Sequence, residues 1–114
     1  MSKILIALDE STTCTGYAVF EDEKLINHGA FSLKSKDVLE RVSLIMEEIE
    51  NLINTYNPND MIIEDVQITI NAATAKSLLG LQFMIEIYTH RKNIPCETIR
   101  TTKWRKILGL SNSR

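Results

Sequence analysis

The chain has 114 residues, of which 44% are hydrophobic and 25% charged, and its formal net charge is −2. This length and composition predict a single soluble domain over residues 1–114 with enough apolar surface for a hydrophobic core. No apolar run approaches the ~18 residues that a membrane span needs, so no membrane association is expected.

The first half of the chain predicts three strands and a long helix. Residues 3–9 form a continuous apolar run, which is typical of a strand buried on both faces. Residues 16–20 and 25–33 follow as two more strands joined by a polar turn, so we expect an antiparallel meander. A helix from about residue 35 or 36 to residue 56 comes next, because its apolar residues recur every three or four positions.

The second half of the chain predicts alternating strands and helices. Residues 61–66 form a fourth strand, which the preceding helical crossover makes parallel to the first. A helix follows over about residues 72–92, and its apolar side chains cover so much of its circumference that we expect it to be well buried. Residues 94–99 form a fifth strand and residues 103–108 a last helix. The order predicts an α/β fold on a five-stranded mixed sheet, three strands antiparallel and then two parallel, flanked by helices.

Two acidic residues lie at the end of, or inside, apolar strands. Asp9 directly follows the first apolar run and Glu64 lies in the fourth. Ionised carboxylates are rarely buried unless they are paired or bind a metal, so we predict one shared site for Mg²⁺ or Mn²⁺. Two alternatives stay open: Asp9 as an ordinary strand-end acid, and Asp65 in place of Glu64. Strand alternation lets only one of these two neighbours join Asp9.

Hydroxyl and basic residues supply candidate phosphate contacts. A hydroxyl-rich turn follows Asp9. Its hydroxyls and amides could bind a phosphate, and an ordinary turn with the same composition is an equal alternative. Residues 1–89 carry six Lys/Arg against fourteen Asp/Glu, whereas residues 90–114 carry seven against one. A basic end on an acidic body indicates a polyanionic partner, and the alternative is a solvated helix face. The candidate phosphate-binding residues are Thr12, Thr15, Lys76, Arg91, Lys103, Arg105 and Lys106.

The chain carries no recognisable targeting signal. Its start lacks the long apolar segment and cleavage site of a secretory signal peptide. Cys14 and Cys96 are isolated, without the spacing of metal ligands. A reducing, cytoplasmic location is therefore predicted.

Several short motifs occur along the chain in the order of one known family. They are the strand ending at Asp9, Thr15-Gly16-Tyr17, Ile62-Ile63-Glu64, Asn71-Ala72 before the long helix, Asn93-Ile94-Pro95, and Trp104-Arg105-Lys106-Ile107-Leu108-Gly109. Together they resemble the RuvC-like Holliday-junction resolvases of the RNase H-like superfamily, with phage-type or divergent bacterial members closer than the housekeeping enzyme.

This resemblance implies an RNase H-like fold and a function. The function is that of a homodimeric, Mg²⁺-dependent endodeoxyribonuclease that hydrolyses phosphodiester bonds in branched DNA. By the same resemblance, Asp9 and Glu64 are catalytic, metal-binding acids. Lys103, Arg105 and Lys106 fall where the family keeps basic residues for the DNA backbone.

The chain departs from the family pattern at three places. Glu10-Ser11 stands where the family has Pro-Gly, and Gln67 stands where an aromatic residue is often found. The family also carries two further acids on a helix after the basic segment, and the chain stops at Arg114 before them. We therefore expect a missing C-terminal helix, an incomplete metal site, and weak or absent cleavage by these residues.

Two other functions stay open. A sugar-kinase or actin-like ATPase lobe also presents an Asp before a hydroxyl-rich turn, although it needs a second lobe with an adenosine site. Such a lobe would be stabilised by ATP. A non-catalytic DNA or protein interaction module would bind branched DNA without metal and would tolerate Asp9→Asn.

Overall fold

A computed structural model describes residues 2–9, 11, 14–64 and 72–99, with the backbone alone for 72–75. These ranges contain β1 Ile4–Asp9, β2 Cys14–Glu21, β3 Lys24–Ser32, α1 Val38–Tyr56, β4 Asp60–Glu64, α2 Ala72–Arg91 and β5 Cys96–Ile99. The strands form one sheet in the order β3-β2-β1-β4-β5. β1, β2 and β3 pair antiparallel, whereas β4 is parallel to both β1 and β5. The predicted α/β fold on a mixed five-stranded sheet is confirmed.

Two predictions of secondary structure fall outside the described residues. One is the last helix at residues 103–108, and the other is the extension of the fourth strand past Glu64. The single domain over residues 1–114 stays a prediction. β2 begins at Cys14, two residues before the predicted strand, because Cys14 and Thr15 pair with β3 despite the polar character of Thr15.

The β2–β3 hairpin closes through a two-residue turn. Asp22 and Glu23 both have positive φ angles, 50° and 70°. This is the backbone of the tight turns whose twist matches that of the flanking strands. Asp22 also anchors the start of β1, because the Lys3 amide donates to its carboxylate at 2.9 Å.

One face of the sheet packs against both described helices and is called the helical face. Its sheet residues are Ile6, Leu8, Val19, Met61 and Ile63. The residues packed on it from α1 and α2 are Val42, Ile45, Met46, Ile49, Leu52, Ile53, Leu81 and Ile85. Each fully buried Leu or Ile contributes about 1.5–3 kcal/mol. The helical face is therefore the main hydrophobic core of the described residues.

Helix α1 has a defined cap at each end. It begins at Val38, later than predicted, because the Asp37 side chain accepts hydrogen bonds from the Leu39 and Glu40 amides in the first turn. It ends at Tyr56, and the C-cap residue Asn57 takes a left-handed conformation and donates its amide N–H to the Ile53 carbonyl. Pro58 follows and cannot continue the helix.

Helix α2 is buried on one side only, so the prediction of a well-buried helix is wrong. Leu81, Ile85 and Thr89 face the core. Another set of apolar side chains is 40–64% exposed: Leu79, Phe83, Met84 and Ile87. The spacing of apolar residues in the sequence is the same whether the folded chain buries those residues or leaves them exposed. Neither described helix is long and apolar enough to cross a lipid bilayer.

Candidate active site

Asp9 and Glu64 lie on the same face of the sheet. Ala7 and Ile62 pack together on the side opposite the helical face. Side chains two residues apart on a strand point the same way, so Asp9 follows Ala7 and Glu64 follows Ile62 onto that side. We call it the acidic face, defined by these four residues.

The two acids are also neighbours along the sheet. β1 and β4 pair in parallel with Leu8 opposite Ile63, and one more residue in that register brings Asp9 opposite Glu64. Adjacent strands lie about 4.8 Å apart, so the two carboxylates share one edge of the sheet. Asp65, the alternative to Glu64, lies outside the described residues.

Gly16 leaves space beside Asp9. The two residues form the last rung of the β1–β2 ladder. A Cβ placed on Gly16 would lie 4.0 Å from the Asp9 Cβ and 3.9 Å from the Gly29 carbonyl oxygen. Asp9 is exposed and Glu64 is half-buried, so both acids are accessible from the solvent on this face.

The chemistry of these two side chains fits a hard divalent cation. Mg²⁺ binds through one or two carboxylates and keeps several waters or substrate phosphate oxygens. Within the ranges the structure describes, no group of three His, Cys, Asp or Glu side chains is placed to hold a metal. Two carboxylates open to solvent offer the oxygen ligands that hard cations such as Mg²⁺ and Mn²⁺ prefer.

Thr15 differs from Lys76 and Arg91, the other described candidates for phosphate contacts, because its side chain is fully buried. Its hydroxyl donates to the Ser11 carbonyl at 3.0 Å and accepts from the Ser11 amide at 3.2 Å. The sequence did not single out this pairing, although a hydroxyl residue four positions after Ser11 was a visible signal. Thr12 lies outside the described residues.

The basic candidates are not all brought together. Both Lys76 and Arg91 are exposed on α2. The Pro95 carbonyl, just after α2, accepts from the Met61 amide at the start of β4, so α2 runs antiparallel to β4. Lys76 therefore lies towards the acidic end of the sheet. Arg91 lies at the far end of a helix about 30 Å long. Lys103, Arg105 and Lys106 lie outside the described residues.

Residues 5–107 match the family model described as crossover junction endodeoxyribonuclease RuvC. The chain belongs to the RuvC family. This confirms the resemblance inferred from the motifs between Asp9 and Gly109. The RuvC of Dictyoglomus thermophilum is 31% identical over 87 residues, which are 72% of this chain and 55% of that protein. The RuvC of Halothermothrix orenii is 27% identical over 101 residues, 76% of this chain and 61% of that protein.

Solved RuvC structures share the fold. The Thermus thermophilus RuvC in complex with a Holliday junction substrate matches with a TM-score of 0.74 at 13% identity, covering 98% of this chain and 82% of that one. A second Thermus thermophilus RuvC structure matches with a TM-score of 0.66 at 14% identity. The RNase H-like fold of the prediction is therefore confirmed. The aligned segments span 55% and 61% of the first two curated relatives.

Proposed function

We propose that this RuvC-family chain is a metal-dependent endodeoxyribonuclease domain that acts on branched DNA of the Holliday-junction type. The observation that carries the proposal is the juxtaposition of Asp9 and Glu64 at the ends of two neighbouring parallel strands. Family membership over residues 5–107 supports the same reaction class. It gives the kinase-like alternative no support.

Asp9 and Glu64 are the residues that would hold a divalent cation. Two carboxylates side by side repel each other and also repel a phosphate, so neither a stable pair nor bound DNA is favoured without a counterion. A bound Mg²⁺ or Mn²⁺ would supply Lewis-acid and water-activating chemistry to a phosphodiester. The two neighbouring carboxylates create a local negative potential that attracts a cation to this edge of the sheet.

The charge distribution favours DNA approaching the acidic face rather than the outside of α1. Helix α1 lies on the helical face and has Glu40, Glu47 and Glu48 exposed on its surface. Such a surface repels a polyanion, and no bound cation is proposed there. Lys76 lies towards the acidic end of the sheet. β5 ends at Ile99, which pairs with Glu64, and the basic residues Arg100, Lys103, Arg105 and Lys106 come after Ile99 in the sequence. They supply the counter-charge that phosphate binding needs.

A homodimer is part of this proposal, with α2 as its interface. Leu79, Phe83 and Ile87 are spaced by four residues and so form one exposed stripe, which Met84 widens. Gly80 lies on the same side, and a Cβ there would meet nothing within 4 Å, so the helix backbone is open to close approach. A two-fold axis through this stripe presents two acidic faces to one branched substrate.

The dimer is tested by Phe83→Ser. Phe83 is 64% exposed, so its loss leaves the core intact and removes the centre of the stripe. We expect the wild type to sediment as a dimer and Phe83→Ser as a folded monomer with an unchanged circular dichroism spectrum. The control is Leu39→Ser, since Leu39 is 81% exposed on α1 and lies outside the stripe. Equal masses for both variants and wild type would contradict an interface at α2.

The nuclease function is tested with a synthetic four-way junction and a duplex of the same sequence. Binding and nicking are measured in Mg²⁺, in Mn²⁺ and in EDTA for wild type, Asp9→Asn and Asp60→Asn. Asp60→Asn is the control because this substitution removes one negative charge at the other end of β4. We expect at least tenfold tighter binding to the junction, with any nicking dependent on metal and Asp9 and insensitive to Asp60→Asn.

Three outcomes of this assay would count against the proposal. Equal affinity for junction and duplex would contradict branched-DNA recognition. Junction binding that is unchanged by EDTA and by Asp9→Asn would indicate the non-catalytic interaction module. Thermal stabilisation by ATP in place of DNA binding would indicate the kinase-like lobe. Weak cleavage by these 114 residues and a cytoplasmic location stay predictions.

A further inference from the structure

Thr15 is a buried polar residue whose hydrogen-bonding groups are directed at one neighbour. Its side chain is 0% exposed on β2, a strand that otherwise buries Val19. Burying a hydroxyl costs free energy unless it finds partners. Here the same oxygen donates to the Ser11 carbonyl and accepts from the Ser11 amide, at 3.0 and 3.2 Å. The hydroxyl is thus satisfied inside the protein and is not exposed to solvent.

The location of this pair of hydrogen bonds connects it to the acidic face. Asp9 and Gly16 form the last rung between β1 and β2. Ser11 is two residues beyond Asp9, and Thr15 is one residue before Gly16. The two hydrogen bonds therefore close the connection immediately outside that rung. Asp9 is the last residue of β1, and the two hydrogen bonds between Thr15 and Ser11 restrict the backbone two residues further along the chain.

We propose that Thr15 is a positioning residue for the metal site: its hydroxyl fixes the Ser11 backbone and thereby the orientation of the Asp9 carboxylate beside Glu64. The inference rests on the proposed function of Asp9 and Glu64, and it assigns Thr15 an indirect role in place of a DNA contact. A site that binds a cation through two carboxylates depends on their mutual orientation, because supporting contacts set how well the ligands are arranged before binding.

The test compares Thr15→Val, which keeps the shape and removes the hydroxyl, with Thr15→Ser, which keeps the hydroxyl. Thr89→Val is the matched control, because Thr89 is 1% exposed and its hydroxyl donates to the Ile85 and Glu86 carbonyls in α2. Two quantities are measured on the full chain: hydrogen exchange of the Ser11 amide, and Mn²⁺ affinity from paramagnetic relaxation of water.

The proposal predicts a specific pattern. Thr15→Val speeds exchange of the Ser11 amide at least tenfold and weakens Mn²⁺ binding at least fivefold. Thr15→Ser stays within about twofold of wild type in both. Thr89→Val lowers the melting temperature without changing either quantity, which separates positioning from a general loss of stability.

The proposal is overturned by unchanged Ser11 exchange in Thr15→Val, by unchanged Mn²⁺ affinity in that variant, or by equal effects of Thr15→Val and Thr15→Ser. The failure of the proposed function looks different. If wild type and Asp9→Asn bind Mn²⁺ equally, the metal site itself is refuted, and the role of Thr15 falls with it. Asp9-dependent binding that Thr15→Val leaves intact refutes the role of Thr15 alone.

Discussion

The two faces of the sheet are built from alternate residues of the same strands and have different properties. On β1, Ile6 and Leu8 are fully buried under helices, whereas Asp9 on the opposite side is exposed. On β4, Ile63 is fully buried and Glu64 is half-buried. A strand of six residues can therefore carry a core on one face and a charged site on the other, since its side chains alternate.

This difference assigns stability and chemistry to separate residues. Removing apolar volume from the helical face is expected to lower the free energy of unfolding and leave metal affinity intact in the folded fraction. Removing a carboxylate from the acidic face is expected to lower metal affinity and to leave most of the free energy of unfolding intact, because Asp9 and Glu64 lie outside the main hydrophobic core. The following substitutions test this separation, from the largest expected effect on stability to the smallest.

Ile49→Ala is expected to lower the free energy of unfolding by about 2–5 kcal/mol, since it leaves a cavity at a fully buried position. Urea denaturation followed by circular dichroism measures the change. The control on the same helix is Leu39→Ala, which should change stability by less than about 0.5 kcal/mol because Leu39 is largely exposed. A loss of Mn²⁺ affinity in folded Ile49→Ala would contradict the claim that stability and metal binding depend on different faces of the sheet.

Two glycines of the β2–β3 hairpin sharpen the comparison. On the helical face, a Cβ at Gly29 would lie 2.7 Å from the Tyr17 hydroxyl oxygen and 3.0 Å from its ring, which stacks on Phe31. Gly29→Ala is therefore expected to cost about 1–3 kcal/mol through overpacking. On the acidic face, Gly16→Ala meets only ordinary contacts and should leave the unfolding free energy unchanged or higher. Equal destabilisation by both, measured in urea, would contradict the packing described here.

Asp37→Ala tests the cap of the helix that covers the helical face. The Asp37 carboxylate accepts from two amides of the first turn, so its loss should cost about 0.5–2 kcal/mol. Thermal unfolding measures the change. Asp37→Asn is the control, because an amide oxygen also accepts these hydrogen bonds and should retain most of the stability. Equal losses in the two variants would indicate that charge, rather than capping, stabilises this end.

Much of the fold follows from the sequence because the three-to-four-residue spacing of apolar residues in a helix differs from the continuous apolar run of a buried strand. The spacing of Val42, Ile45, Ile49 and Leu52 predicted α1, and the apolar run at residues 3–9 predicted β1. The exposure of Phe83 did not follow. A helix with a second apolar face exposed to solvent has the same sequence pattern as one enclosed by its own chain, so only the fold distinguishes them.

The placement of the two candidate acids was predictable in part. Asp9 and Glu64 were conspicuous as carboxylates on apolar strands, and strand alternation implied that one acid near residue 64 shares the face of Asp9. The orientation of Thr15 was not predictable, because a threonine in a polar turn has the same sequence signal whether its hydroxyl points in or out. Its burial follows from β2 starting at Cys14.

The central claim is that Asp9 and Glu64 together bind one divalent cation. Mn²⁺ affinity of the full chain, measured by water proton relaxation for wild type, Asp9→Asn, Glu64→Gln and Asp60→Asn, tests it most directly. We predict that Asp9→Asn and Glu64→Gln each weaken binding at least tenfold without lowering the melting temperature, and that Asp60→Asn, at the opposite end of β4, matches wild type. Equal affinity in all four proteins would contradict the claim.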